Sequence, residues 1–230
     1  MLTDWNSPGQ IDGGDGGFCP GAGNPLGGDA SALAFSTRVA GALGWLKAGA
    51  LGPGDRILTF DNGLQPVTSV KTGCLWDGDL PMPEPLRPLA VPHGALGNAA
   101  ELLLLPEQIV MLESDIAETL FGDPFALVTA AQLHGFRGIR RVSPEEVIST
   151  VRLTFDEDQL VFAGLGAVFY CPAASKAGDL TLHAANSRYR VLRRDEAQAL
   201  ILQMSRDSGF DADPSDPSLG APGRMRVVTG

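Results

Sequence analysis

Residues 51–70, LGPGDRILTFDNGLQPVTSV, hold two turn signals and two strand patterns within one short stretch. Pro53-Gly54-Asp55 reads as a turn, because Pro fixes φ and Gly is free to take a positive φ. Arg56 to Phe60 follows as a strand. Asp61-Asn62-Gly63 is the strongest short hairpin signal in the chain, since Asn and Gly tolerate the left-handed backbone of a tight β-turn. Leu64 to Val70 returns as the second strand. Pro66 has no N–H to give to a ladder, so it belongs at an edge or a bulge.

The rest of the composition agrees with a chain built from such hairpins. Of 230 residues, 29 are Gly and 17 are Pro, and 44% are hydrophobic. Many short segments between turn signals predict a mainly β domain with a real core, not a helical bundle. The net charge of −10 argues against nucleic-acid binding, which needs clustered Lys or Arg on phosphates. The densest basic cluster, Arg137 to Arg141, reads as a solvated loop. No apolar run approaches the ~18 residues of a membrane span. The first residues lack a basic stretch followed by an apolar one, so the expectation is a cytoplasmic protein, or one exported without a cleaved N-terminal signal. Cys19, Cys74 and Cys171 are too few and too scattered for a disulfide framework or a zinc site, and they suit a reducing compartment. No cofactor is expected, and no partner can be named.

Taken in order, residues 1–30 form a Gly/Asp/Pro-rich leader whose isolated apolar residues cannot offset its ordering entropy. Its GGDGG run lacks the repeated period of calcium-binding nonapeptides and reads as a linker. Ser31 to Val39 is the first candidate strand. Ala40 to Ala50 has helical composition, but its three Gly oppose a helix. Prolines at 81, 83, 85, 88 and 92 forbid regular structure over most of residues 77–97. Ile109 to Leu112 reads as a strand. Ser114 reads as the N-cap of a helix over Asp115 to Phe121 that Gly122 closes. Phe125 to Leu133 is an apolar, buried segment. Val147 to Phe155 and Gln159 to Phe162 read as a second hairpin with Asp156-Glu157-Asp158 at its solvated tip. In Arg193 to Met204, residues Ala197, Leu200, Ile201 and Met204 fall at helical spacing. Residues 205–230 read as a disordered acidic, Pro-rich tail.

The order of these signals resembles the Hint (hedgehog/intein) self-processing domains, most of all the bacterial branch in which the domain stands in short proteins. The family's L-x-P-G-D turn and D-x-G-x-Q-P-[VI] hairpin match Leu51, Pro53, Gly54, Asp55, Asp61, Gly63, Gln65, Pro66 and Val67. Leu120-Phe121-Gly122-Asp123 matches its L-F-G-[DE] turn. Val151, Leu153, Phe155, Asp156, Leu160, Val161, Phe162 and Ala163 match its late V-x-L-x-F-D-x-x-x-[IL]-V-F-A pattern. The resemblance spans about residues 31–204. It implies a Hint-type β-fold of hairpins with one short internal helix and a C-terminal helix, and it makes residues 40–50 a hairpin and Leu89 to Pro92 a strand.

The resemblance also implies a chemistry. In these domains an opening Cys or Ser attacks the preceding carbonyl and converts the amide into a thioester or ester, while a His polarises that amide. Here the family's opening C-F-x-x-G-T falls on residues 32–37. Thr37 matches, but the nucleophile position is Ala32. Gln108 replaces the polarising His, and it can donate a hydrogen bond but cannot shuttle a proton at neutral pH. The late block that usually carries His has Arg152, Asp158 and Cys171. The expectation is therefore a domain that keeps the fold, has impaired or lost self-cleavage, and acts as a non-catalytic module. The alternative is residual cleavage of its own leader at Ala30–Ser31 with Ser31 as nucleophile. His93, His134 and His183 lack metal-ligand spacing and read as loop or packing residues. Cys171, beside Pro172, reads as an incidental buried thiol.

Overall fold

A computed structural model describes residues 32–76, 81–144, 147–173 and 189–207. The expected hairpin is present: β4 (Arg56–Thr59) and β5 (Gly63–Pro66) pair antiparallel around residues 60–62, with Thr59 opposite Gly63. Asn62 N–H donates to Thr59 Oγ1 at 3.2 Å and Gln65 Nε2 donates to Asn62 O at 2.6 Å, so the turn satisfies its own polar groups. Pro66 sits on β5, an end strand of its sheet, where a missing N–H costs no ladder bond.

β2 (Arg38–Gly41) and β3 (Gly44–Lys47) form another hairpin, as the resemblance implied for residues 40–50. An eight-stranded sheet runs β10 (Phe125–Thr129), β9 (Ile109–Glu113), β14 (Ala167–Cys171), β13 (Gln159–Ala163), β2, β4, β5, with β3 beside β2. A second sheet joins β1 (Ala32–Ala34) and β6 (Ser69–Trp76) to the two sides of β12 (Ile148–Thr154). A third joins β11 (Arg140–Arg141), β7 (Leu89–Val91) and β8 (Leu102–Leu104).

The large sheet is apolar on both faces, and its side chains sort with the period of two that a pleated strand imposes. On β14, Ala167, Phe169 and Cys171 enter the main core, while Val168 and Tyr170 enter a second cluster on the other face. Val110 and Leu112 against Ile109 and Met111 on β9, and Val161 and Ala163 against Leu160 and Phe162 on β13, divide the same way. Both faces of β14 are therefore covered, which explains its unbroken apolar run. Each fully buried Phe or Leu contributes about 1.5–3 kcal/mol of transfer free energy.

Two helices close the main core. α1 (Asp115–Phe121) begins at Ser114, whose Oγ accepts from Ile116 N–H at 3.2 Å, and ends at Gly122 in the left-handed region (φ 78°). Two turns of helix are marginal alone; burial of Ala117 holds them. α2 (Arg194–Asp207) inserts Ala197, Leu200 and Met204. Its first turn is tied down by Glu196, whose Oε2 accepts from Arg193 N–H at 3.0 Å and whose Oε1 is paired with Arg190. The Arg193 N–H, followed by the guanidinium groups of Arg193 and Arg190, holds the Glu196 carboxyl below its ordinary pKa.

The late pair of strands is not a hairpin. β12 pairs with β1 and β6, whereas β13 pairs with β14, β2 and β4. The chain turns a corner between them and passes from one sheet to the other. β5 and β6 do the same at Val67–Thr68, alongside it. There Thr68 N–H donates to Thr154 O at 2.8 Å, and Thr154 Oγ1 donates to Ser69 O at 3.2 Å. Asp158 is accordingly not part of a solvated tip: it is buried, and its Oδ1 accepts from Ala173 N–H at 2.9 Å. Asp156 and Glu157 do face solvent. They line, with Asn62, Gln65, Pro66, Phe155 and Gln159, a cleft of 440 Å³ at this corner.

The basic cluster is also more than a solvated loop. Arg141 Nη1 donates to the carbonyls of Glu84, Pro85 and Arg87 at 3.3, 2.9 and 3.2 Å, and Arg137 Nη1 donates to Ala95 O at 3.2 Å. These guanidinium groups stitch the Pro-rich loop to the third sheet. Cys74, on β6, is disulfide-bonded; sequence spacing does not report which thiols meet in space. No helix among the described residues is long and apolar enough to cross a membrane. Ser205 to Asp207, expected to open the disordered tail, instead continue α2, because its hydrogen bonding runs three residues past the last buried position of the stripe, Met204; residues 1–30 and 208–230 lie outside the described residues, as do Ser31 and His183.

Candidate functional site

The start of β1 is where the family chemistry would take place. Ala32 is buried in a small apolar cluster with Leu105 and Ile148. It is there because β1 is a short buried strand, and its Cα partner across the β12 ladder is Arg152. Lys71 on β6 is the next residue in the same row, opposite Arg152. Directly opposed residues of neighbouring strands point to one face. Ala32, Arg152 and Lys71 therefore share a face, while Leu33, Val151 and Val70 turn to the main core.

Gln108 reaches this region through Leu105. Pro106 and Glu107 turn the chain between β8 and β9, and Gln108 N–H closes the turn on Leu105 O at 3.0 Å. The Gln108 side chain folds back, and its Oε1 accepts from Leu105 N–H at 3.3 Å. Gln108 O accepts from Ala130 N–H at 2.8 Å, which fixes the turn to the segment after β10. The whole residue is inaccessible to solvent. Its Nε2 has no hydrogen-bond partner among the described residues. A buried amide donor left unpaired costs about 1–3 kcal/mol, so such groups are uncommon unless something else claims them. Chemically, this N–H can donate to a carbonyl oxygen or a developing oxyanion, but it cannot take a proton from a nucleophile.

Thr37 is buried in the link between β1 and β2, where the chain changes sheets. Its N–H donates to Ala34 O at 2.9 Å and its carbonyl accepts from Ala48 N–H at 2.7 Å. Asp158 serves the corner described above. Cys171 is a buried cysteine at the end of β14. His93 and His134 are exposed. Among the described residues there is no group of three His, Cys, Asp or Glu placed to hold a metal. Ala32 and Gln108 are thus linked through Leu105, whereas Thr37, Asp158 and Cys171 serve the backbone or the core. The adjacency of Arg152 and Lys71 to Ala32 was missed in the sequence. The signal was the alternation of VRL at 151–153, which places Arg152 on the face away from the core.

No curated protein matches the chain. Among solved structures it is similar to an intein-like domain from Clostridium thermocellum, at 10% identity and a TM-score of 0.42 over 61% of this chain and 98% of that one. The MchDnaB-1 intein is 16% identical, with a TM-score of 0.37 over 59% of this chain and 98% of that one. The AceL NrdHF class 3 split intein is 13% identical, with a TM-score of 0.39 over 63% and 99%. A family model described as Hint domain matches residues 32–167, which is more than half of the chain. Its match begins at Ala32, the head of β1. By that match the chain belongs to the Hint domain family of self-processing modules.

Proposed function

We propose that this Hint domain no longer cleaves itself and acts as a non-catalytic module over about residues 31–207, with residues 1–30 as an attached leader and 208–230 as a tail. The observation that carries the reading is Ala32. A methyl group, buried against Leu105 and Ile148, occupies the first position of the family match. It has no lone pair with which to open an amide. Gln108 supports the same reading, since its carboxamide retains donor capacity and lacks the proton affinity of an imidazole.

The test is a graft that returns both groups, A32C with Q108H. The introduced thiol attacks the carbonyl carbon of Ser31; the S–C bond forms, the C–N bond to residue 32 breaks, and the freed amine takes the thiol proton. Added dithiothreitol then exchanges onto the acyl group and releases residues 1–31. The expected result is thiol-dependent loss of that segment from the graft, read by intact mass. A folded graft that stays whole would show that Ala32 and Gln108 are not what silences the chain.

One observation favours a second reading. The unpaired Nε2 of buried Gln108 is the kind of donor that an acyl shift requires. In that reading the Ser31 hydroxyl attacks the Ala30 carbonyl, the amine of Ser31 takes the proton, and water hydrolyses the ester to release residues 1–30. Ser31→Ala would then abolish a cleavage that the unmodified chain performs.

A further inference from the structure

We infer that the end of the β2–β3 hairpin is a docking element for an anionic lipid surface. Its sequence, RVAGALGWLK over residues 38–47, sets a run of uncharged residues between two cations. Ala42 and Leu43 form the turn between Gly41 and Gly44, and Leu43 is fully exposed, at 101%. Trp45 and Leu46 behind it are 38% and 42% exposed, and every residue of β3 faces solvent. Trp45 and Lys47 share one face with Ala40 and Arg38, their partners across the ladder. On the other face Leu46 leans towards the turn, its Cδ1 lying 3.1 Å from an ideal Cβ on Gly41. At about 3.4 Å per residue, Leu43 stands about 13 Å beyond the Arg38–Lys47 pair, with Trp45 halfway. An apolar tip, then an indole, then cations is the order of chemistries across a bilayer boundary, from acyl chains through the interface to the phosphates. An element lying in that boundary buries its apolar groups about 5–10 Å deep, which leaves the two cations level with the headgroups. Neither Arg38 nor Lys47 makes an ion pair or a side-chain hydrogen bond among the described residues. Two cations directly opposed on a ladder are unfavourable unless an anion shares them. Repulsion from the chain's net charge of −10 is screened beyond about 8 Å at physiological salt. A protein partner fits less well, because the apolar side chains of Leu43, Trp45 and Leu46 fall far short of the roughly 20–30 residues a side of a stable interface. The element needs no spanning helix, since a hairpin end can enter one leaflet from its surface.

The experiment is flotation of the full chain with vesicles of phosphatidylcholine mixed with phosphatidylserine, and with vesicles of phosphatidylcholine alone. The chain should float with the first and less with the second, because the cations need an anionic surface. Leu43 is exposed at a turn, so Leu43→Asp should fold, as a thermal melt will verify, and it should weaken binding about tenfold or more. Leu43→Phe keeps the tip apolar and should bind like the unmodified chain. Lys47→Gln should weaken binding to the anionic vesicles about fivefold, the share of one cation near such a surface. Absence of flotation, or flotation that either Leu43→Asp or Lys47→Gln leaves undiminished, would overturn the inference. So would a chain that sediments as a dimer, becomes monomeric with Leu43→Asp and ignores the vesicles, a result that would give the hairpin to a second copy.

Discussion

Gln108 and Leu105 are joined twice: Gln108 N–H donates to Leu105 O at 3.0 Å, and Leu105 N–H donates to Gln108 Oε1 at 3.3 Å. One residue thus closes the β8–β9 turn with its backbone and secures it with its side chain. Only the amide nitrogen remains without a partner among the described residues.

The stability cost of altering this side chain should depend on charge more than on size. Gln108→Met loses the hydrogen bond to Leu105 N–H, worth about 1 kcal/mol, and removes an unpaired donor whose burial costs about as much. Its net effect on unfolding free energy should lie within about 1 kcal/mol. Gln108→Glu keeps the shape but buries a carboxyl, and should cost about 3 kcal/mol or more at neutral pH. Urea titrations of the two variants measure this. Equal destabilisation by both would show that Gln108 is not enclosed as described.

Glu196 gives a pH dependence of known sign. Its folded-state pKa lies below the ordinary 4.5, chiefly because Arg193 N–H donates to the carboxylate. A carboxyl lowered on folding stabilises the fold while it is ionised, in full above the unfolded pKa. That contribution fades as pH falls through the folded value. Glu196→Gln should therefore lower the thermal midpoint modestly at pH 7. The gap from the unmodified chain should close as pH falls below 4.5 through the folded-state pKa. A gap that stayed constant across this range would mean that the charge on Glu196 does not anchor α2.

What the sequence disclosed was local chemistry. Asp61-Asn62-Gly63 specified its turn, Ser114 and Gly122 bounded α1, and the spacing of Ala197, Leu200 and Met204 marked the buried stripe of α2. What it concealed was which strands meet. Residues 147–162 have the pattern of a hairpin, yet β12 and β13 lie in different sheets. Alternation tells which side chains face inward; it does not tell which edge a strand joins, because pairing between distant segments leaves no local mark. Asp158 misled for the same reason. An acidic turn residue looks solvated until Ala173, fifteen positions on, brings its N–H to the carboxylate. Ala32, Gln108 and Arg152 were found through the family pattern, whereas Lys71, and the place of Arg152 beside Ala32, emerged only from the register of the second sheet.

The most direct test of lost self-cleavage is the intact mass of the purified, unmodified chain after incubation with hydroxylamine, which captures esters, and with dithiothreitol. Reduction also ensures that the disulfide at Cys74 cannot hold cleaved pieces together. The account predicts a single species at 24.1 kDa under every condition. A species lacking residues 1–30, absent from the Ser31→Ala variant, would contradict it and establish Ser31 as a working nucleophile.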